Sequence, residues 1–490
     1  MNWDSAKMLE KAKRLYPAFY ETECAPLAAS EPGEDVWMRN GGNFILDFGT
    51  HLVGYVTLTV ECEHVPDSPL EIVFEFAEDK CEFDTSQYKG GLSSSWIQRE
   101  TVYSDDPRDP ISLPRRYAFR FLKITFPANT AYTVRYISCT ARAVTSADMC
   151  AVTPLPADTS DSIIKIDQIA LRTLKNCMQS VFEDGPKRDR RLWLGDLYLQ
   201  AKANYLTFKN VDLVKRCLYL FAGIPHENGC LSSAIFQEPI LMNQSWILHD
   251  YALFFAGCLK DLYEFEGDIE IVKELWPVAF RQAEIAAEAA NEEGFVNTDF
   301  YFIDWCAPLD KSAGAQAVCV AMLKDTLYLA RLLNDIPAEQ YLEDKIKLLS
   351  GALFSMYDRE RKLFVAKSGQ ISVQSQMWGV LSGVLSPDDE KLTLTALGRL
   401  TEADGVIDTV TPYAKHYYVD ALFRAGMKCE AEKILREYWG GMAEKGADCF
   451  WEVYVPDQPD LSPYGDKRIN SFCHAWSCTA TYFIRKYGIK

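Results

Sequence analysis

The chain has 490 residues, with 51 Lys and Arg against 69 Asp and Glu, and a formal net charge of -18. Such an acidic surface repels phosphate backbones and anionic lipid, which excludes nucleic acid and membranes as partners and favours a small neutral ligand. The 48% hydrophobic and 24% charged residues describe a globular protein with enough apolar material for more than one core, and no apolar run is long enough to span a bilayer.

The first twenty residues form an amphipathic stretch without the basic start and apolar core of a secretory signal. The 15 cysteines are odd in number, contain no CxxC pair and have no histidines at zinc-finger spacing. Buried, reduced thiols in a cytoplasmic protein are therefore expected, with no metal and no cofactor.

From about residue 36 to 147 the pattern has period two. Val56, Leu58 and Val60 alternate with Tyr55, Thr57 and Thr59, and Ile72, Phe74 and Phe76 alternate with Glu71, Val73 and Glu75. Tyr132, Val134 and Tyr136 repeat the pattern, while Gly90-Gly91 and the Pro/Asp cluster from Asp105 to Pro114 supply loops. An antiparallel β-sandwich over residues 1–155, preceded by a short helix, is the expectation.

After Pro154-Leu155-Pro156 the period changes to 3.6, with Ile163, Ile166, Ala170, Leu174, Cys177 and Val181 along one stripe. About twelve helical stretches follow, near 161–182, 195–208, 211–223, 245–266, 270–291, 313–334, 337–357, 374–384, 388–401, 411–426, 429–443 and 472–487. The connections alternate in length. Those after even-numbered helices are short, and those after odd-numbered helices are long and rich in Gly, Pro, aromatics and carboxylates. If successive helices run up and down, every long loop emerges at one end. Six such hairpins closed into a ring make an (α/α)6 barrel over 156–490, with its pocket at the long-loop end. An open helical array is the other architecture, but no self-similarity at a fixed period supports it.

Three long-loop segments carry the chemistry. The first runs from Glu183 to Asp196 and holds Asp184, Lys187, Arg188, Asp189, Arg190, Arg191 and Trp193; alone it reads equally as a solvated salt-bridge loop or a polar pocket. The others are Asp304-Trp305 and Trp451-Glu452, with Trp246 and His474 on neighbouring connections. Carboxylates beside indoles suit a sugar, whose hydroxyls meet the acids and whose C–H face meets the ring. Two opposed carboxyls are also what glycosidic hydrolysis needs. Interleaved cations disfavour a calcium loop, and the lack of a GxSxG elbow disfavours a serine hydrolase.

Asp184-Gly185-Pro186-Lys187-Arg188-Asp189-Arg190, with Trp193 and Gly195-Asp196, resembles the catalytic signature of glycoside hydrolase family 78, the α-L-rhamnosidases. The likeness extends through Asp304-Trp305, Thr411-Pro412-Tyr413, Phe450-Trp451-Glu452 and the run from Asn470 to Ser477. It also reaches the β part, at Leu46-Asp47-Phe48-Gly49 and at Arg115-Arg116-Tyr117. The resemblance implies an (α/α)6 barrel and inverting hydrolysis of a terminal α-L-rhamnosyl residue; the lack of an export signal adds the expectation of an exo-acting enzyme on small imported glycosides. Asp189 matches the general acid and Glu452 the general base. Asp184, Arg188, Trp193, Asp196, Trp246, Asp304, Trp305, Trp451 and His474 fall to substrate binding, Trp246 from a loop that aligns less clearly.

One departure stands out. The family's acid is usually a glutamate between two arginines, and here Arg188-Asp189-Arg190 supplies an aspartate one methylene shorter. Proton transfer needs a reach of about 3 Å, so the shorter acid requires a shifted backbone or leaving group, and two flanking cations oppose its protonation. Inversion predicts carboxyls of Asp189 and Glu452 roughly 6.5–9.5 Å apart. The remaining alternatives are another sugar specificity and a catalytically weak sugar-binding homologue; the partners expected are a small carbohydrate and, in a homo-oligomer, further copies of the chain.

Overall fold

The computed structural model describes residues 3–30, 36–39, 41–64, 68–128, 132–400 and 402–490. Helix α1 (Ser5–Arg14) is capped by the Asp4 side chain and buries Met8 and Ala12 against the helical part.

The β part is one nine-stranded antiparallel sheet among the described residues. Its main path orders the strands Tyr20–Cys24, Thr133–Thr145, Gly42–Cys62, Tyr117–Phe126, Leu70–Ala77 and Arg99–Ser104. The 21-residue strand Gly42–Cys62 joins the two halves: up to Gly54 it pairs with Tyr117–Phe126, and from Gly54 onward with Thr133–Thr145. Its register breaks between Asp47 and Leu52. Val56, Leu58, Val60, Ile72, Phe74 and Phe76 all point into one buried cluster shared by both halves, as the alternation predicts. The expected sandwich is thus a single continuous sheet around one core.

Twelve α-helices follow among the described residues. They are α2 (Asp161–Cys177), α3 (Leu194–Leu206), α4 (Val211–Gly223), α5 (His249–Glu266), α6 (Ile269–Glu288), α7 (Ser312–Leu333), α8 (Ile336–Ser355), α9 (Val373–Leu381), α10 (Pro387–Leu397), α11 (Pro412–Arg424), α12 (Lys428–Glu444) and α13 (Ala480–Tyr487). The odd-numbered helices from α3 to α11 touch one another in turn, α11 meets α13 where Phe423 stacks on Tyr487, and α13 returns to α3, closing an inner ring. The even-numbered helices pack outside it. Inner helices such as α7 and α9 are buried almost all round, as a central position demands. Short turns such as left-handed Gly267 lead from inner to outer helices, and all six long loops lead inward from the same end. No helix among the described residues is long and apolar enough to cross a membrane.

Two boundaries differ from the sequence reading. Helix α2 ends at Cys177 rather than near residue 182, because Thr145 Oγ1 and Ser146 N, at the end of the last β strand, donate to the carbonyls of Lys175 and Met178. The last helix begins at Ala480 rather than near residue 472. The backbone before it is committed elsewhere: Ser471 N and O bond Glu452, His474 N bonds Phe450 O, and Ala475 N bonds Asp184 O.

Candidate active site

The loop after α2 and the loop after α12 are laced together at the ring's long-loop end. Ala475 N donates to Asp184 O at 2.8 Å, and Arg191 N donates to Asp184 Oδ1 at 3.1 Å, so the first loop folds back on itself and against the last. Arg190 turns the loop in the left-handed region, at φ 53, while its guanidinium bonds Pro186 O. The four cations of this loop have separate partners. Lys187, wholly buried, pairs with Glu82 at 3.0 Å and Glu78 at 3.6 Å, both from the β domain. Arg191 lies over the Phe236 ring. Burial and the nearby Arg116 bring the Arg190 guanidinium down to about 10. Only Arg188 faces the carboxylates expected to act.

Arg188 bridges them. Its Nη1 is 3.1 Å from Asp189 Oδ1 and its Nη2 is 2.8 Å from Glu452 Oε1. Tyr464 completes the arrangement, accepting from Arg188 Nη2 at 2.8 Å and donating to Glu452 Oε1 at 2.5 Å. Ser471 N donates to Glu452 Oε2 at 2.9 Å. Burial alone would raise the Glu452 pKa, but Arg188, His474, Tyr464 and the Ser471 amide outweigh it and hold the carboxyl below its ordinary value. Glu452 is therefore a buried, ionised carboxylate. Asp189 sits half-buried at the outer edge of the group, unlike the buried Asp184, Asp196 and Glu452.

Behind the bridge lies a set of polar groups with spare capacity. Desolvation pushes Asp184 well above its usual pKa, helped by Asp189 and Asp196; Asp196 is raised by desolvation, Glu452 and Asp189. His474 is lowered to about 4 by burial and is a neutral imidazole near pH 7. Its two nitrogens lie 3.7 Å from Asp184 Oδ2 and from Asp196 Oδ1, beyond direct hydrogen bonding. Asp196 Oδ1, His474 Nδ1 and Trp193 Nε1 are buried with no protein partner. Such groups want hydroxyls, and a polyol supplies both donors and acceptors.

Aromatic rings wall this region. Trp193 meets Tyr251 edge-on, Tyr251 meets Phe302, Phe302 meets Trp305 and Trp476, and Trp305 meets Tyr464. Trp305 is 40% exposed, as a platform at a pocket mouth would be. The structure thus brings together Asp184, Arg188, Asp189, Trp193, Asp196, Trp305, Glu452 and His474.

Three of the expected residues stand apart. Asp304 is buried and accepts from Trp305 N, Val410 N, Thr411 N, Thr411 Oγ1 and Gln374 Nε2 at 2.7–3.2 Å. Its carboxylate is saturated by the protein, so it braces loops and has no lone pair left for a ligand. Trp451 turns the other way from Glu452, into a crevice between the domains with Phe472, Arg120 and Glu78. Trp246 is 62% exposed; its carbonyl accepts from Ser233 while its ring stands in solvent. Tyr464, Tyr251, Phe302 and Trp476 were not read from the sequence.

Residues 17–143 match the model of the glycosyl hydrolase family 78 alpha-rhamnosidase N-terminal domain, and residues 158–487 match the bacterial alpha-L-rhamnosidase 6 hairpin glycosidase domain. Among solved structures, a rhamnosidase from Klebsiella oxytoca with rhamnose bound is 37% identical over 99% of each chain, with a TM-score of 0.93. The family 78 rhamnosidase of Bacillus sp. GL1 is 20% identical over 94% of this chain and 47% of its own, with a TM-score of 0.75. The Streptomyces avermitilis alpha-L-rhamnosidase complexed with L-rhamnose is 18% identical over 96% of this chain and 44% of its own, with a TM-score of 0.71. The last two share the fold, and the match spans less than half of each of their chains. No curated protein matches the chain.

Proposed function

Because the chain belongs to glycoside hydrolase family 78 and is a glycoside hydrolase, we propose that it removes terminal α-L-rhamnosyl residues from small glycosides with inversion at the anomeric carbon. The carrying observation is the Arg188 bridge, which holds an ionised, buried Glu452 and a half-buried Asp189 on either side of one cation.

Glu452 fits the general base. Ionised, and fixed by Tyr464 and Ser471, it can take a proton from water attacking the anomeric carbon. Asp189 fits the general acid: it is half-buried where Asp184, Asp196 and Glu452 are buried, and a proton donor to a departing aglycone needs that greater access. The carboxyl separation set out above for inversion belongs to this proposal. The remaining cations of the loop pair elsewhere: Lys187 with Glu78 and Glu82, Arg190 with Pro186 O, and Arg191 with the Phe236 ring. Asp184, Asp196, His474 and the Trp193 indole N–H offer the sugar its hydroxyl partners, and Trp305 and Tyr464 form the wall at the mouth. All fifteen cysteines are unpaired, which supports a cytoplasmic setting.

The test is turnover of aryl and alkyl α-L-rhamnosides, with NMR of the first sugar released. β-L-rhamnose appearing first supports inversion, and α-L-rhamnose first rejects it. Asp189→Asn should lose about 10²–10⁴-fold on alkyl leaving groups and far less on activated aryl ones, whereas Glu452→Gln should lose similar factors on both. Cleavage of other aryl glycosides in preference to the rhamnoside would overturn the sugar assignment, and rhamnose binding with no turnover would reject the enzyme role.

A further inference from the structure

A second cluster of chemistry-bearing side chains is buried where the β domain meets the barrel. His51 comes from the register break in strand Gly42–Cys62, Cys449 lies three residues before Glu452, and Cys473 directly precedes His474. All three are buried, and their ligand atoms lie within 4.8 Å of one another. Cys177, at the end of α2, packs in the same group with Cys449 and Cys473.

We propose that His51, Cys449 and Cys473 form a site for a thiophilic d10 cation, zinc in the first instance, with Cys177 available as a fourth ligand. Thiolate and imidazole donors select such ions, and two thiolates neutralise a divalent charge inside a low-dielectric interior.

The surroundings support this. His51 Nε2 is 2.8 Å from Glu78 Oε1. A carboxylate on the far nitrogen is the usual orienter of a metal-bound histidine; it fixes the proton on Nε2 and leaves the Nδ1 lone pair facing inward. In the structure that lone pair accepts from Asn176 Nδ2 at 2.8 Å, and the same amide reaches His51 O at 3.1 Å and Cys449 Sγ at 3.8 Å. An ion on Nδ1 would take the place of this amide, which must swing aside to admit it. Binding then expels one proton from each of two thiols and forms two metal–sulfur bonds and one metal–nitrogen bond. The crevice lined by Glu78, Arg120, Asp448 and Trp451 opens beside the cluster and offers the ion an approach.

An ion here would tie a β-domain strand to the two stretches of the loop after α12 that hold Glu452 and His474. The cluster was invisible to a search for local spacing, because His51 lies in a different domain, far before Cys449 and Cys473 in the sequence.

The experiment uses the intact protein, expressed in zinc-supplemented medium and purified without an affinity tag or chelator. About one zinc per chain by plasma mass spectrometry is expected, and cobalt substitution should give a thiolate-to-cobalt charge-transfer band. Cys449→Ser and Cys473→Ser should abolish that band and cut the metal about tenfold, while Cys319→Ser, a buried cysteine outside the cluster, should keep both. Less than about a tenth of an equivalent in the wild type with no cobalt band overturns the proposal without reliance on any variant. So does a Cys449–Cys473 disulfide found under native, non-reducing conditions, or retention of the metal by both serine variants.

Discussion

Tyr464 shares one Glu452 oxygen with Arg188, and that single hydroxyl helps decide the ionisation of the proposed base. Removing the donor from a carboxylate whose folded pKa is held down raises that pKa. The base must be ionised to act, so the acid limb of kcat/KM should move to higher pH in Tyr464→Phe. A displacement of about one unit is expected, since one charge-assisted hydrogen bond is worth roughly 1.5–3 kcal/mol and a unit corresponds to 1.36. A pH profile with an unmoved acid limb would mean that Tyr464 merely packs against Arg188. Tyr464 had no mark in the sequence beyond its place in Pro463-Tyr464-Gly465, because its value comes from partners far along the chain. Trp451 was misplaced for the converse reason: it adjoins Glu452, but neighbours in an extended segment point to opposite sides.

At the scale of elements, the alternation of short and long connections was enough to read the ring, since it reports which helix ends share a face. What it could not report is how the long loops brace one another. Asp304, from the loop after α6, takes hydrogen bonds from α9 through Gln374 and from the start of α11 through Val410 and Thr411. Asp304→Ala should therefore cost about 3–5 kcal/mol in urea unfolding, because it strands several buried donors at once. Asp304→Asn should cost less, as one acceptor oxygen survives. A direct ligand contact would instead show as a raised KM with stability unchanged. The ends of α2 and α13 were misjudged for the same reason: backbone groups that periodicity assigned to helical ladders are used between loops.

For the whole molecule, Lys187 is the point where the β domain grips the catalytic loop. Its ammonium lies between Glu78 and Glu82 with no solvent access, and its other donors go to the carbonyls of Arg468 and Asn470. Lys187→Met leaves two buried carboxylates without their cation and should destabilise by about 3–5 kcal/mol, lowering the melting temperature. Activity should fall with it, since the same loop carries Arg188 and Asp189. Unchanged stability would show that water compensates the two acids. An isolated barrel, residues 156–490, should melt at a lower temperature than the intact chain and lose turnover, since buried Lys187 loses both its carboxylates. Composition divides this chain cleanly into a β part and a helical part; the Lys187 pairs that cross between them join residues more than a hundred positions apart and leave no periodic trace.

The long strand Gly42–Cys62 crosses from one half of its sheet to the other and, at its register break, sends His51 into the barrel's loops. A bend of that kind makes the two parts thermodynamic dependants. Neither can open without exposing ionised groups of the other, so heat should melt the chain in one step. Calorimetry should give a single transition with matching calorimetric and van't Hoff enthalpies. The change of pattern after Pro156 would then mark a seam in architecture with no counterpart in the free energy of unfolding.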